Sequence, residues 1–453
     1  MTLIEIFESQ KKFFFDQNTK PVHFRIEQLK KLKKLLQDNE RMLCDAIQKD
    51  FGKSEFDTFA NEFLLIYKEI AFYIRHLKKL ARPKRTSTSL LNFPSKSYLY
   101  VEPLGTTLII GAWNYPYQLT LAPLVAAIAA GNTAFLKPSE LPAETMRAMV
   151  KLINSNFPSE YLYVVEGGVQ ETTELLKLKF DKIFFTGSTR VGQIVYEAAA
   201  KQLIPVTLEL GGKSPAIIGA NCDLALAAKR IVWGKFLNAG QTCIAPDYIY
   251  VLENRKNDFI KALIAQLEQF NYEDGSKHYV RIINRHHFDR LIGLLDRSKL
   301  AYGGKSNEES LYIQPTILNN ITWADAVMKE EIFGPILPIL SYTNFGDTVQ
   351  TILSKEKPLS AYLFSENKSE QKHFLSTLSF GGGCINDTVM HIADDELPFG
   401  GVGQSGMGHY HGKFGFLAFS HQKSILKKST FWEPSFRYPP YNLKLIGWLK
   451  RLF

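Results

Sequence analysis

Cysteine is scarce: the chain contains four (Cys44, Cys222, Cys243, Cys384), far apart, with no Cys-x-x-Cys pair and no His-x-x-x-His beside them. Neither a disulfide framework nor a zinc site is expected from that spacing, and a reducing cytoplasm fits it. Long apolar runs are missing as well. The longest, Leu121 to Ala130, has a proline inside it and falls well short of the roughly 18 to 20 residues that cross a bilayer. The first residues, Met1-Thr-Leu-Ile-Glu-Ile-Phe-Glu8, place acids where an export signal is basic and then apolar, so no export is expected. No low-complexity segment and no short-period repeat occurs. Hydrophobic residues at 45% and charged ones at 22% of 453 residues leave a soluble globular chain with room for roughly three domains.

Negative charge is in deficit. Lys and Arg number 54 against 45 Asp and Glu, a net +9 that calls for a search for anionic partners. The excess is concentrated at one end: from His421 to Phe453 seven basic residues face one acid, Glu433, so this tail holds +6 of the +9. A body this close to balance is not expected to carry a nucleic-acid groove. In the tail, Leu443, Leu445, Ile446, Trp448, Leu449, Leu452 and Phe453 interleave with Lys444, Lys450 and Arg451. That pattern suits either a weak contact with a membrane surface or a terminal helix packed over a substrate entrance or a neighbouring subunit.

Along the chain, apolar residues recur at helical spacing between residues 22 and 80, and Ala81 to Ser97 reads as a linker or exposed arm. Four short apolar runs follow, Thr107 to Ile110, Ala134 to Leu136, Tyr161 to Val165 and Ile183 to Phe185. Helix-length segments such as Pro123 to Ala130 and Glu144 to Asn154 separate them. That alternation predicts a parallel sheet with crossover helices. A second α/β half is expected from near Pro205, beginning with Val206 to Leu210 and running to a glycine-rich block between Gly381 and Gly415. Two such halves place a cleft between them.

Several segments have residue types suited to chemistry there. In Lys182-Ile-Phe-Phe-Thr-Gly-Ser-Thr-Arg-Val-Gly192, a strand runs into a helix through small residues, which lets phosphate oxygens approach backbone N–H groups; an ordinary strand-to-helix turn has the same look. Glu140, in Leu136-Lys-Pro-Ser-Glu140, is either a carboxylate for ribose hydroxyls, with Lys137 beside it, or the first turn of a helix capped by Ser139. Cys243, among the small and polar residues of Asn238-Ala-Gly-Gln-Thr-Cys243, is either a nucleophile or an inert small side chain. Glu209, in a β-like run before Gly211 and Gly212, is either solvent-facing or desolvated into general-base range. Asn114 has an amide suited to an oxyanion, or to a turn.

Taken in order, Ala112-Trp-Asn-Tyr-Pro116, Leu136-Lys-Pro-Ser-Glu140, Phe185-Thr-Gly-Ser-Thr-Arg-Val-Gly192, Leu208-Glu-Leu-Gly-Gly-Lys-Ser214, Gly240-Gln-Thr-Cys243, Glu331-Ile-Phe-Gly-Pro335 and Pro398-Phe-Gly-Gly-Val-Gly-Gln-Ser-Gly406 resemble the aldehyde dehydrogenase superfamily. The likeness spans residues from about 20 to 430. The ending, with Ser405-Gly-Met-Gly-His-Tyr-His-Gly412 and Arg437-Tyr-Pro-Pro-Tyr441, is similar to the class 3 branch, which includes fatty aldehyde dehydrogenases.

The resemblance implies an α/β fold with a Rossmann-type cofactor domain (residues 1–80 and 101–208), a second α/β catalytic domain (209–415), and a small oligomerisation arm and C-terminal tail (81–100 and 416–453). It implies oxidation of medium- or long-chain aliphatic or aromatic aldehydes to acids by a homodimer. Cys243 is the implied nucleophile, Asn114 the oxyanion donor and Glu209 the group that activates water on a thioester. The presence of Glu209 separates the chain from relatives that pass the acyl group to coenzyme A. NAD is the expected cofactor, with NADP possible: Lys137 and Glu140 are assigned to the adenosine ribose, and Thr186, Gly187 and Ser188, with Gly192 in the following helix, to the nicotinamide and pyrophosphate. Gly211 neighbours the nicotinamide, Glu331 and Phe333 hold its ribose, and Asn386 is a supporting residue near the pocket. No metal is expected. Two other readings stay open: a catalytically silent cofactor-binding protein, and a membrane-surface module on the same fold.

Overall fold

The computed structural model describes residues 1–433 and 437–451. The apolar runs found in the sequence are strands buried on both faces: Thr106–Ile110, Thr133–Lys137, Leu162–Val164 and Lys182–Thr186. They pair in parallel, and Val206–Glu209 joins beside Lys182–Thr186. The spatial order is Val206–Glu209, Lys182–Thr186, Thr106–Ile110, Thr133–Lys137, Leu162–Val164, with the short strand Gly406–Met407 added antiparallel at the Val206 edge. The chain therefore leaves Thr106–Ile110 in one direction and later returns to its other side, and a ligand site lies where the order reverses.

Val206–Glu209 corrects the sequence reading, which opened the second half with it. The helix Thr189–Ala200 returns the chain to the first sheet, and the second sheet starts at Pro215–Ile218. Its order is Leu300–Tyr302, Thr316–Leu318, Ile336–Tyr342, Tyr248–Leu252, Pro215–Ile218, Ser360–Phe364, Gly382–Ile385. Gly406–Met407 and the helix Gly412–Ala418 then pack back on the first unit. An arm sheet forms from Lys84–Thr86, Ser95–Pro103 and Ser420–Lys428.

The helix Pro116–Ala130 fills the centre, with all its residues buried. A helix apolar on every side belongs inside a core. Buried charges hold both of its ends. At the start, Glu62 Oε2 accepts from the N–H groups of Tyr117 (2.7 Å) and Gln118 (3.2 Å), and its other oxygen pairs with Lys53 Nζ at 2.9 Å. At the end, Arg25 donates to Ala129 O at 3.2 Å. An anion at the N-terminus and a cation at the C-terminus both match the helix dipole. Glu62 lies in a π-turn, Phe59–Phe63, inserted in the long helical run from Glu55 to Leu80.

In the tail, the turn Leu443–Leu445 and the single helical turn Ile446–Leu449 follow the arm. Leu452 and Phe453 of the amphipathic pattern lie outside the described residues, as do the side chains of Leu445, Trp448 and Leu449.

Candidate active site

Three adjacent parallel strands of the first sheet end on the same edge: Lys182–Thr186, Thr106–Ile110 and Thr133–Lys137. Their C-terminal ends deliver Thr186-Gly187-Ser188, the Gly111 to Asn114 turn, and Lys137 to Glu140. Ser188 Oγ accepts from Val191 N at 3.4 Å and caps the helix Thr189–Ala200, whose first turn holds Gly192. A Cβ on Gly192 would lie 2.6 Å from Leu210 Cδ2, so a glycine lets this helix sit against the strand bearing Glu209. Lys137 is buried, donates to Pro138 O at 2.7 Å and lies 3.9 Å from Glu140, whose side chain is 44% exposed. The next helix begins at Ala143 without a cap from Ser139, so Glu140 stands outside it with its carboxylate available.

Cys243 follows the helix Leu224–Phe236 and a turn of unusual backbone. Asn238, Ala239 and Gly240 all have positive φ (54°, 53° and 74°). For the two residues with side chains this is a strained conformation, held by surrounding bonds. Asn238 Nδ2 donates to Asn114 O (2.9 Å) and Gln241 O (3.1 Å), and Gln241 Oε1 accepts from Ile283 N at 3.0 Å. Gly240 has no alternative residue type, since a Cβ would meet Gly334 O at 2.3 Å. Asn114 Nδ2 donates one N–H to Gln241 O at 3.1 Å, which aims the amide at the turn before Cys243.

Glu209, Thr186, Cys243 and Thr242 line one cavity. Its remaining walls are mostly apolar: Leu65, Tyr115, Leu119, Leu237, Ile244, Ile392, Phe399 and Tyr410 among them. Both Glu209 oxygens, Thr186 Oγ1 and the Tyr410 hydroxyl are buried with no hydrogen-bond partner among the described residues. A buried unpartnered carboxyl is costly in a fold and points to use by a ligand. Burial holds Glu209 well above the ordinary carboxylate range. Burial, with Glu331 and Glu209 adding negative charge, pushes the Cys243 thiol up to about 12.

Glu331 packs on Gly211, where a Cβ would lie 1.9 Å from its Oε2. Burial and then Asp247 push its carboxyl up to about 8, against the pull of the Gly212 amide, Lys213 and Lys235. Phe333 stands two residues on with φ 48°, its ring against Trp113 at 5.3 Å. Asn386 does not reach the cavity wall with its amide: Oδ1 accepts from Ser365 N (2.8 Å) and Nδ2 donates to Glu366 (2.6 Å). It shapes the loop leading to Val389, which does line the cavity.

Residues 4–425 match the aldehyde dehydrogenase family model. The chain belongs to the aldehyde dehydrogenase family. A 4,4'-diaponeurosporen-aldehyde dehydrogenase of Staphylococcus aureus is 48% identical over 449 residues, 98% of each chain. Aldehyde dehydrogenase family 3 member A2 of Rattus norvegicus is 46% identical over 96% of this chain and 91% of its own length. A dimeric NADP-preferring aldehyde dehydrogenase of Rattus norvegicus is 44% identical over 95% of this chain and 96% of its own. Among solved structures, a substrate-bound AldH of Staphylococcus aureus superposes with a TM-score of 0.97 at 47% identity, covering 100% of both chains. As an aldehyde dehydrogenase the chain is an oxidoreductase served by a nicotinamide dinucleotide. The donor set fits that group: Thr186 Oγ1, unpartnered among the described residues; the Lys137 and Glu140 pair; and Glu331 over Gly211.

The motifs pointed to the chemistry but not to the walls. Asn61 and Leu65 face the cavity from a helix that sequence periodicity assigns to scaffold. Tyr115 was inside a quoted motif yet unassigned; its hydroxyl bonds Thr242 Oγ1 at 2.7 Å, next to Cys243. The neighbouring aromatic-proline step was the available signal for it.

Proposed function

We propose that the protein oxidises medium- or long-chain aliphatic or aromatic aldehydes to carboxylic acids, with NAD preferred and NADP accepted. The observation that carries this reading is one apolar cavity holding Cys243 and the unpartnered carboxyl of Glu209, beside the strand ends that carry Lys137, Glu140 and Thr186. Cys243 Sγ bonds the aldehyde carbon, giving a thiohemiacetal. The thiol proton passes to the carboxylate form of Glu209, which lines the same cavity, and Glu209 releases it to solvent before the next step. The second N–H of the Asn114 amide and the Cys243 backbone N–H hold the oxyanion. When bound, the dinucleotide supplies a hydride acceptor, held by Lys137, Glu140, Thr186, Gly187, Ser188, Gly211, Glu331 and Phe333. Cys243 then carries the acyl group as a thioester, and Glu209 takes the proton of the water that hydrolyses it.

Glu140 supports the NAD preference, because its carboxylate repels a 2′-phosphate, and Lys137 at 3.9 Å moderates that repulsion. The outer edge of Ser420–Lys428, exposed over most of its length, supports a homodimer built on the arm. Phe431, Tyr441, Leu443 and Ile446, exposed near Lys427, Lys428 and Lys444, support a weak contact of the tail with a membrane surface. A cytoplasmic location fits the free thiols. The deciding experiment follows reduced nicotinamide absorbance with aldehydes graded by chain length and ring type, using both cofactors. Turnover that disappears in Cys243→Ala is expected; no turnover with any aldehyde, or full activity in that variant, overturns the mechanism.

A further inference from the structure

Glu331 lies in an irregular stretch between the short helical turn Ala326–Met328 and the strand Ile336–Tyr342. Its position therefore depends on side chains that bond its backbone. One buried ion pair reaches it from both sides. Lys213 comes two residues after Gly211 and Asp247 four after Cys243; their side chains are 15% and 4% exposed and form an ion pair. Lys213 Nζ also donates to Glu330 O at 2.8 Å and Val327 O at 3.0 Å. Asp247 Oδ1 accepts from Ile332 N at 2.9 Å. The carbonyl before Glu331 and the amide after it thus end on the same pair.

The pair is itself anchored. Asp247 N donates to Ser214 O at 2.8 Å, tying the nucleophile's segment to the one that carries Gly211 and Lys213. Arg290 Nη2 adds an outer bond to Ile332 O at 2.6 Å. The fit is tight, because the Glu331 carboxylate packs on the Gly211 backbone, where no Cβ would fit. A small shift of the Glu330 to Ile332 backbone would move that carboxylate off its seat.

We propose that Lys213 and Asp247 are positioning residues that hold Glu331 in place to bind the nicotinamide ribose. The inference rests on the reading of Glu331 as a ribose ligand. Lys213 and Asp247 act through the loop and leave the Cys243 turn, which has its own bonds to Asn114 and Ile283, in place.

The test compares wild type, Glu331→Gln, Asp247→Asn, Lys213→Met and the double variant Asp247→Asn with Glu331→Gln. NADH affinity is read by fluorescence, and Cys243 reactivity by the rate of iodoacetamide alkylation without cofactor. Asp247→Asn keeps an oxygen for Ile332 N and so preserves the test if Lys213→Met does not fold. Loss of a hydrogen bond involving a charged group predicts an NADH Kd raised about tenfold in each single variant. Because the clamp works through Glu331, the double variant should be no more than about twofold worse than the worse single. Alkylation should stay within about twofold of wild type in the Asp247 and Lys213 variants. Multiplying effects, an unchanged Kd in Asp247→Asn, or parallel losses of affinity and alkylation overturn the proposal. Weaker binding in Glu331→Gln alone overturns the clamp and spares the cofactor reading. Failure of wild type to bind NADH, or an unchanged Kd in Glu331→Gln, overturns both.

Discussion

Replacing Lys53 by methionine leaves Glu62 without its ion-pair partner among the described residues, and the cost can be worked from the structure. Both side chains are 0% exposed and 2.9 Å apart. Without Lys53, Glu62 keeps two backbone donors at the start of Pro116–Ala130, yet its charge sits in a low-dielectric interior. The carboxyl escapes by taking up a proton. Relative to an ordinary glutamate near 4.3, protonation at pH 7 costs about 1.36 kcal/mol for each of about 2.7 pH units, or about 3.7 kcal/mol. That figure bounds the loss and falls within the roughly 3–5 kcal/mol typical of breaking one side of a buried pair. The sign with pH follows. In the variant the folded state holds a proton that the unfolded state releases above about pH 4.3, so stability falls as pH rises, with a slope near 1.36 kcal/mol per unit. Urea unfolding should therefore show the variant less stable than wild type by up to about 3.7 kcal/mol at pH 7, and by no more than about 1.6 kcal/mol near pH 5.5. Adding Glu62→Gln should recover most of the loss and abolish its pH dependence, because an amide oxygen still accepts from Tyr117 N. A loss under about 1 kcal/mol at pH 7, or a difference that does not change with pH, refutes the reasoning.

Other substitutions test the site directly. Glu209, held high by burial, must lose its proton to act as a base, so kcat should rise with pH above the ordinary carboxylate range. Glu209→Gln should flatten that profile and lower kcat about 10²- to 10⁴-fold; an unchanged slope removes Glu209 from the role of base. Gly240→Ala places a Cβ 2.3 Å from Gly334 O at a φ of +74°. The left-handed backbone alone costs about 1–2 kcal/mol, so both the melting temperature and kcat should fall, and an unaltered melting temperature contradicts the geometry. Glu140→Ser removes the carboxylate 3.9 Å from Lys137. The ratio of kcat/KM for NADP over NAD should rise at least about tenfold, and a constant ratio shows that cofactor choice is made elsewhere.

The first sheet was legible because its strands are buried on both faces, and such strands appear as unbroken apolar runs with clear ends. Pro116–Ala130 was not. Pro123 reads as a helix start, whereas it lies mid-helix, where complete burial of the surrounding residues outweighs the roughly 3 kcal/mol cost of proline. Val206–Glu209 went to the wrong sheet because a run of apolar residues carries no label of its neighbour; the pairing with Lys182–Thr186 is a tertiary fact. In the site, Cys243, Glu209 and Glu331 stood out through their motifs. Their consequences did not: that Glu209 has no partner, or that Glu331 presses on Gly211, depends on packing between segments over a hundred residues apart.

Those long-range contacts follow a pattern that connects stability to catalysis. Three of the elements that carry site groups are irregular at that point, the Gly111 to Asn114 turn, the positive-φ turn before Cys243 and the loop of Glu331, whereas Glu209 ends a regular strand. Irregular backbone cannot satisfy its own N–H and C=O groups, and buried ones must find partners. The chain supplies them from polar side chains. Glu62 holds Tyr117 and Gln118 just beyond Asn114, Asn238 and Gln241 hold the Cys243 turn, and Lys213 with Asp247 holds the flanks of Glu331. Charged partners suit this task, because their bonds are strong and their misplacement is expensive. Substitutions at Lys53, Lys213 or Asp247 should therefore lower activity without touching substrate, each through the one segment it anchors.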